Sequence, residues 1–244
     1  MYWDWDEKTG FRELVVDLTI HNDLDSFFGE HGIYLMVVQG RISEMTFYFG
    51  FQTDVADPDT WESRGKGVIF NRWGTRDLAN VRLAEDGYSQ SSGHEGNFVG
   101  ARRGYDWGAG AYRLRLAPEG ADTDGEWFGL SVTELASGAT TWIGALRFPY
   151  PDRGLRATIK HHTYSTIEIY GSRPIRPIDI PEFSVSIEPP KGDGRSATHG
   201  ATVYSLRLGQ ILNTEARFDH TTGTVFLQAG GLTRRKAEPG KIRF

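Results

Sequence analysis

The sequence contains no cysteine. Disulfides, cysteine-based zinc sites and a cysteine nucleophile are excluded at once. It also lacks any apolar run approaching the roughly 20 residues that a membrane-spanning helix needs. Positive charge is not in excess either: 27 Lys and Arg stand against 32 Asp and Glu, a formal net charge of −5. A nucleic-acid binder wants a basic stripe, and Arg102-Arg103 and Arg234-Arg235-Lys236 are too short to make one. No nucleic acid and no membrane is therefore expected as a partner. The start, "MYWDWDEKTG", is acidic and aromatic where a secretory signal has a basic start and an apolar run, so the cytoplasm is the default location. No H-x-H or H-x₃-H spacing, phosphate loop or Ser-His-Asp motif occurs. No metal and no cofactor is expected.

Helical periodicity is nearly absent as well, and alternation takes its place. "LVVDLTI" puts Leu14, Val16, Leu18 and Ile20 on one face. "MTFYFGFQ" puts Met45, Phe47, Phe49 and Phe51 on one face, with Thr46, Tyr48 and Gln52 opposite. "AYRLRL" sends Tyr112, Leu114 and Leu116 one way, and Arg113 and Arg115 the other. "FGLSVTEL" continues with Phe128, Leu130 and Val132. Period two over five to eight residues means half-buried strands. Further strands are expected at 34–39, 66–71, 79–84, 140–148, 155–160, 164–170, 182–188, 201–208 and 224–229. About a dozen strands punctuated by 30 glycines predict an all-β, antiparallel two-sheet β-sandwich. The 244 residues read as one domain, 1–244. The segment 182–244 completes the sheets after a crossing marked by Pro174, Pro177 and Pro181, because proline cannot donate to a ladder.

Two hairpins can be registered. "GLRATIKHHTYSTIEIYG" predicts a turn at His161-His162-Thr163, with Ala157 opposite Ile167, Leu155 opposite Ile169 and Arg156 opposite Glu168. A second turns at Ala136–Gly138, where Gly138 supplies the left-handed position.

The segment from about Phe47 to Pro149 carries "FYFGFQTDV", "GVIFNRWG", "GHEGNFVGARRGYDWGAGAYRLRL" and "TTWIGALRFP" in that order. It resembles an uncharacterised bacterial family of unknown function, placed among the concanavalin A-like sandwiches. The resemblance implies a two-sheet jelly roll and brings no catalytic residues. The wider superfamily holds lectins, glucanases and polysaccharide lyases, which makes a saccharide the first ligand class to consider by fold analogy.

The closely spaced acids of the glucanases are missing. Their nearest approach, Asp4 to Glu7, lies in what reads as an unanchored N-terminus. "FLQAGG" at Phe226–Gly231 resembles an alginate-lyase strand, and "GQILN" resembles its Gln-x-His, but Leu212 stands where the histidine belongs. "ADTDGEW" at 121–127 reads as a hairpin turn rather than a calcium loop, whose oxygens it does not complete.

The richest stretch is "YSQSSGHEGNFVGARRGYDW", 88–107. It reads either as an Ω-like loop pinned by Phe98, Tyr105 and Trp107, or as a ligand rim. In the second reading Trp73, Tyr105 and Trp107 stack on a sugar ring while Glu95, Asn97 and Arg102 hydrogen-bond its hydroxyls. A saccharide-binding, lectin-like protein is the leading expectation. The alternatives are a polysaccharide lyase or other carbohydrate-active enzyme of the same fold, and a structural or assembly protein. The sequence leaves the oligomeric state open.

Overall fold

The computed structural model describes residues 1–27, 31–57, 60, 62–92, 96–152, 154–204 and 213–244. In chain order the strands are β1 (Tyr2–Asp4), β2 (Leu14–Ile20), β3 (Gly32–Ile42), β4 (Met45–Gln52), β5 (Gly67–Trp73), β6 (Val81–Leu83), β7 (Gly87–Ser92), β8 (Phe98–Gly104), β9 (Gly110–Ala121) and β10 (Glu126–Glu134). There follow β11 (Thr140–Phe148), β12 (His162–Tyr170), β13 (Phe183–Ile187), β14 (Lys191–Gly192), β15 (Arg195–Ser196), β16 (His199–Thr202), β17 (Thr214–Asp219), β18 (Thr224–Ala229) and β19 (Gly240–Arg243). Two single 3₁₀ turns, Leu78–Asn80 and Pro177–Asp179, are the only helical elements among the described residues.

All pairings are antiparallel and build two sheets. One has nine strands in the order β19-β16-β1-β12-β3-β4-β5-β8-β7. The other runs β17-β18-β13-β2-β9-β10-β11-β6, with β14 and β15 attached beside β2 to make ten. The strands that follow the proline-marked crossing join both sheets. This is the all-β two-sheet sandwich that the alternation predicts.

The core lies between the sheets and is set by that alternation. Phe47, Phe49 and Phe51 of β4 are all fully buried, as are Leu114 and Leu116 of β9. Each such side chain contributes on the order of 2 kcal/mol by leaving water. Phe148 of β11 reaches across, with ring centroids 6.3 Å from Phe47 and 6.5 Å from Phe70 of the facing sheet. Arg113 and Arg115 point outward and meet acids across the strand pair. Arg113 Nε and Nη2 donate to both oxygens of Asp17 at 2.7 Å, and Arg115 Nε donates to Glu13 at 2.6 Å.

The turn residues behave as their chemistry requires. Asp122 accepts from the backbone N–H of Asp124 and Gly125 and from Trp127 Nε1, so this carboxylate organises the β9–β10 turn. Gly138 takes φ +73° in the β10–β11 turn.

Three expectations need correction. The hairpin over 155–169 does not form. Leu155 is exposed, and Ile159 instead bridges Phe11 and Ile42. β12 begins at His162 and is paired on both sides, with β1 and β3. Its buried face begins with Thr163 and Ser165, and Ser165 Oγ accepts from the indole N–H of the buried Trp3 at 2.8 Å. Both partner strands of β12 are distant in sequence, which a rule of short local turns cannot find. Second, the acidic start is anchored: Trp3 is fully buried in β1, and Asp4 bonds His162 Nδ1 at 2.7 Å. Third, much of 88–107 is strand, not loop, since Gly87–Ser92 of β7 pair with Phe98–Arg103 of β8. The expected strand at 201–208 begins as β16, and positions 205–212 lie outside the described residues.

Arg156, expected opposite Glu168, instead joins the buried Glu126. Glu126 accepts from Arg12 Nη1 at 2.7 Å and Nη2 at 2.8 Å, from the Ala157 N–H at 2.7 Å, and from Arg156 Nη1 at 3.3 Å. Burial alone would raise this carboxyl. The bonds from Arg12 and Ala157 and the charges of Arg12 and Arg156 outweigh it and hold Glu126 below the usual carboxylate range. A carboxyl lowered on folding contributes stability above its unfolded value of about 4.3. That stability is lost as pH falls through the lower folded value. Glu126→Ala is expected to cost about 3 kcal/mol at neutral pH, and Glu126→Gln to flatten the acid side of the stability profile. Urea unfolding between pH 3 and 7 measures both (roughly the span of carboxyl titration).

Candidate functional site

The strands that bury phenylalanines inward present a different set of side chains outward. On the outer face of the nine-stranded sheet they line a cleft of about 720 Å³. Its floor is a set of rungs fixed by the strand register. One rung carries Glu168 of β12, Tyr34 of β3 and Gln52 of β4. The next carries Met36, Gly50, Ile69, Arg102 and Tyr88 across β3, β4, β5, β8 and β7. A third carries Gln39, Tyr48, Asn71, Gly100 and Gln90 on the same strands. Trp73 and Phe98 pair at the far end, with ring centroids 5.9 Å apart.

Two features shape this floor. Tyr34, Met36, Val55 and Ile69 form an apolar cluster separate from the main core, flanked by Tyr48, Tyr88, Tyr164 and Tyr170. Gly100 leaves space for a neighbour, because a Cβ there would stand 1.7 Å from Asn71 Oδ1. The segment 53–57 forms a wall. Tyr170 holds it by donating to the Asp54 carbonyl at 2.8 Å and accepting from the Asp54 N–H at 3.0 Å, and Tyr88 donates to the Val55 carbonyl at 3.2 Å.

The polar groups are unevenly satisfied. Arg102 is buried, donates from Nη2 to Gln90 Oε1, and reaches the Ala56 carbonyl from Nη1 at 3.5 Å. Its Nε, the Tyr34 hydroxyl and Asn71 Oδ1 are buried without a hydrogen-bond partner. Burial pushes the Arg102 guanidinium below its usual range, partly offset by the phenols of Tyr88, Tyr48, Tyr34 and Tyr170. Burial, together with Tyr48 and Glu168, pushes the Tyr34 phenol well above its usual range, so it stays protonated. Native proteins satisfy most buried polar groups. Three such atoms without a partner lie together beneath this cleft.

The sequence-derived residues divide across this geometry. Trp73 and Arg102 line the cleft. Asn97 is exposed in the turn after β7, and its carbonyl accepts from the Gly74 N–H at 2.9 Å, beside Trp73. Glu95 lies outside the described residues, as does His94. Trp107 and Tyr105 do not reach the cleft. Trp107 is 1% exposed. Its ring packs 5.7 Å from Phe51 and 6.1 Å from Phe183, and its Nε1 donates to the Gln52 carbonyl at 2.9 Å. Tyr105 packs on Phe51 and Tyr112. Aromatic density alone does not say which way a ring faces; after β8 ends at Gly104 the chain turns inward. Tyr34, Tyr48, Gln52, Asn71, Gln90, Glu168 and Tyr170 were not singled out in advance. Their signal is the polar side of each alternating strand, as in Thr46, Tyr48 and Gln52 of "MTFYFGFQ". The lyase-like "FLQAGG" lies in and just after β18 of the other sheet.

No family model matches the chain, and no curated protein matches it. Among solved structures it is similar to scytalido-glutamic peptidase bound to a transition-state analogue inhibitor, at 8% identity over 94% of this chain and 95% of that one, with a TM-score of 0.46. It is similar to SCP-B, of the eqolisin family of peptidases, at 9% identity over 95% and 96%, with a TM-score of 0.37. It is also similar to the PL-14 alginate lyase from Aplysia kurodai, at 9% identity over 68% and 72%, with a TM-score of 0.29. Likenesses this distant carry no argument about activity.

Trp107 supplies a direct check on the placement of the cleft. Trp107→Ala is expected to destabilise the protein by about 3–5 kcal/mol, read as a lower urea midpoint in the absence of any ligand. An unchanged midpoint would put the ring back at the surface.

Proposed function

We propose that the protein is a saccharide-binding, lectin-like β-sandwich of the concanavalin A-like type, and that its ligand lies along the outer face of the nine-stranded sheet. One observation carries this reading: a single cleft joins flat aromatic faces to planar amides. Trp73 and Tyr48 offer half-buried rings and Gln39 and Gln52 half-buried amides, while Phe98, Asn71 and Gln90 are buried beneath them. A sugar ring has the matching character, with apolar C–H faces and hydroxyls around its edge. The cleft volume of about 720 Å³ falls within the range of small-ligand sites, roughly 300–1,000 Å³.

The enzymatic alternative within the same fold is a β-eliminating lyase. That chemistry needs one group to withdraw a proton beside a carboxylate and another to protonate the leaving oxygen. No histidine is among the described residues lining the cleft. The burial of Tyr34 keeps its phenol protonated, which makes it a donor and not a base. Binding without turnover is the reading with the better chemical support. An assembly role has no particular observation in its favour.

A glycan array followed by titration of any hit tests the proposal. Trp73→Ala should weaken binding about tenfold, the loss of roughly 1.4 kcal/mol expected for one stacked ring. Absence of binding across the array, or affinity indifferent to Trp73→Ala, would remove the site.

A further inference from the structure

We infer that the outer edge of β19 is a docking site for an acidic peptide, which adds to the nine-stranded sheet as one more extended strand. This surface lies apart from the cleft, and the inference does not rest on the saccharide reading. β19 ends the nine-stranded sheet and pairs with β16 alone among the described residues. On that side the Phe244 N–H donates to the Thr198 carbonyl at 2.9 Å, and the Gly240 N–H donates to Thr202 Oγ1 at 3.1 Å. In an antiparallel ladder the backbone groups of successive residues point alternately to one side and the other. The N–H and C=O of Lys241 and Arg243 therefore face away from β16, where no described strand follows.

The edge of the other sheet shows what a closed one looks like. β17 ends the ten-stranded sheet, and side chains meet its outer backbone groups. The Tyr204 hydroxyl accepts from the Ala216 N–H at 3.0 Å, and Arg235 Nε donates to the Thr214 carbonyl at 3.3 Å. A strand edge without such cover is a template for pairing with another chain.

Charge specifies the occupant. Between 232 and 244 the sequence has five Lys or Arg and one Glu, in a chain whose net charge is −5. Arg234, Lys236, Lys241 and Arg243 are exposed, and none of the four has an ion-pair partner among the described residues. The acids of the N-terminal segment, whose β1 lies two strands away, are engaged elsewhere. Asp4 bonds His162, Asp6 lies 3.5 Å from His199, and Glu7 pairs with Arg195.

The register gives the pattern of the added strand. Lys241 stands opposite Ala201 and Arg243 opposite His199, on the face that β16 shares with Tyr2 and Asp4 of β1. Ile242 points the other way and packs against the main core. A strand laid beside β19 would set acids next to Lys241 and Arg243 and an apolar side chain next to Ile242. Opposite charges across a strand pair are favourable, and like charges are not. Two copies of this chain joined β19 to β19 would bring their cations together, so a second copy is the poorer fit. A phosphate surface would match the cations but not the alternating donors and acceptors of the edge; an extended acidic peptide matches both.

Fluorescence anisotropy on the full chain tests this with the labelled alternating peptide acetyl-TEVEVET-amide and its lysine counterpart acetyl-TKVKVKT-amide. The acidic peptide should bind about tenfold or more tightly than the lysine one. N-methylating one alternate set of its amides should abolish binding, and N-methylating the other set should change it less than about threefold, because only one edge of the peptide meets β19. Lys241→Glu together with Arg243→Glu should reverse the preference in favour of the lysine peptide. The N-methylated peptides decide the backbone part on the wild-type protein, whatever that variant's stability. Equal binding of the two peptides, indifference to both N-methylations, or an acidic preference that survives the double substitution would overturn the inference. Binding of single-stranded DNA or of phosphatidylserine vesicles without the acidic peptide would overturn it in favour of a polyanion surface. A dimer of the free protein that Lys241→Pro dissolves would place a second copy at the edge instead. No binding by any probe would overturn it outright.

Discussion

Successive side chains on a strand point to opposite faces, and in the nine-stranded sheet both faces are committed. On β4, Phe47, Phe49 and Phe51 are fully buried against the second sheet, while Thr46, Tyr48 and Gln52 between and beside them line the cleft. A slip of one residue would put three phenylalanines in the cleft and a tyrosine and a glutamine in the core. The packing that stabilises the sandwich therefore also places the cleft residues. No separate device is needed to hold them, because their positions follow from the burial of their neighbours.

This coupling explains why the cleft tolerates unfavourable groups. Arg102 Nε, Asn71 Oδ1 and the Tyr34 hydroxyl are buried beside the apolar cluster of Met36 and Ile69 and the phenols around it. Low local polarity strengthens any hydrogen bond made there and penalises any left unmade. The core on the other side of the same strands is extensive enough to carry that penalty. Trp107 joins the two faces: its ring is part of the core, and its N–H holds the carbonyl of Gln52, whose side chain lines the cleft.

Much of this was legible in the residues. The alternation of 45–52 and 112–116 gives the inward and outward sets, and the acid-rich turn at 122–125 and the glycine at 138 mark two hairpins. What could not be read locally was pairing at a distance. β12 is flanked by β1 and β3, and nothing near 155–170 announces either neighbour. The strands β7 and β8 were hidden for a different reason. The inward side chains of β8 include the small Val99 and Ala101, and its outward face includes Gly100, so the contrast between faces is too weak to stand out. Tyr105 and Trp107 misled because an aromatic ring serves a core as readily as a sugar platform. β3 is buried on both faces along most of its length, since the cleft cluster covers its outer side. Tyr34 therefore has no alternation around it to mark it as a cleft residue.

The central claim is that the outer face of the nine-stranded sheet is the ligand face. Backbone amide chemical shifts, followed by NMR as a saccharide hit is titrated in, test it residue by residue. The account predicts that the largest changes fall on β3, β4, β5, β7 and β8, around Tyr34, Tyr48, Asn71, Trp73, Gln90 and Arg102. Changes centred instead on the ten-stranded sheet, on its exposed Arg113 and Arg115 or on β18, would contradict it.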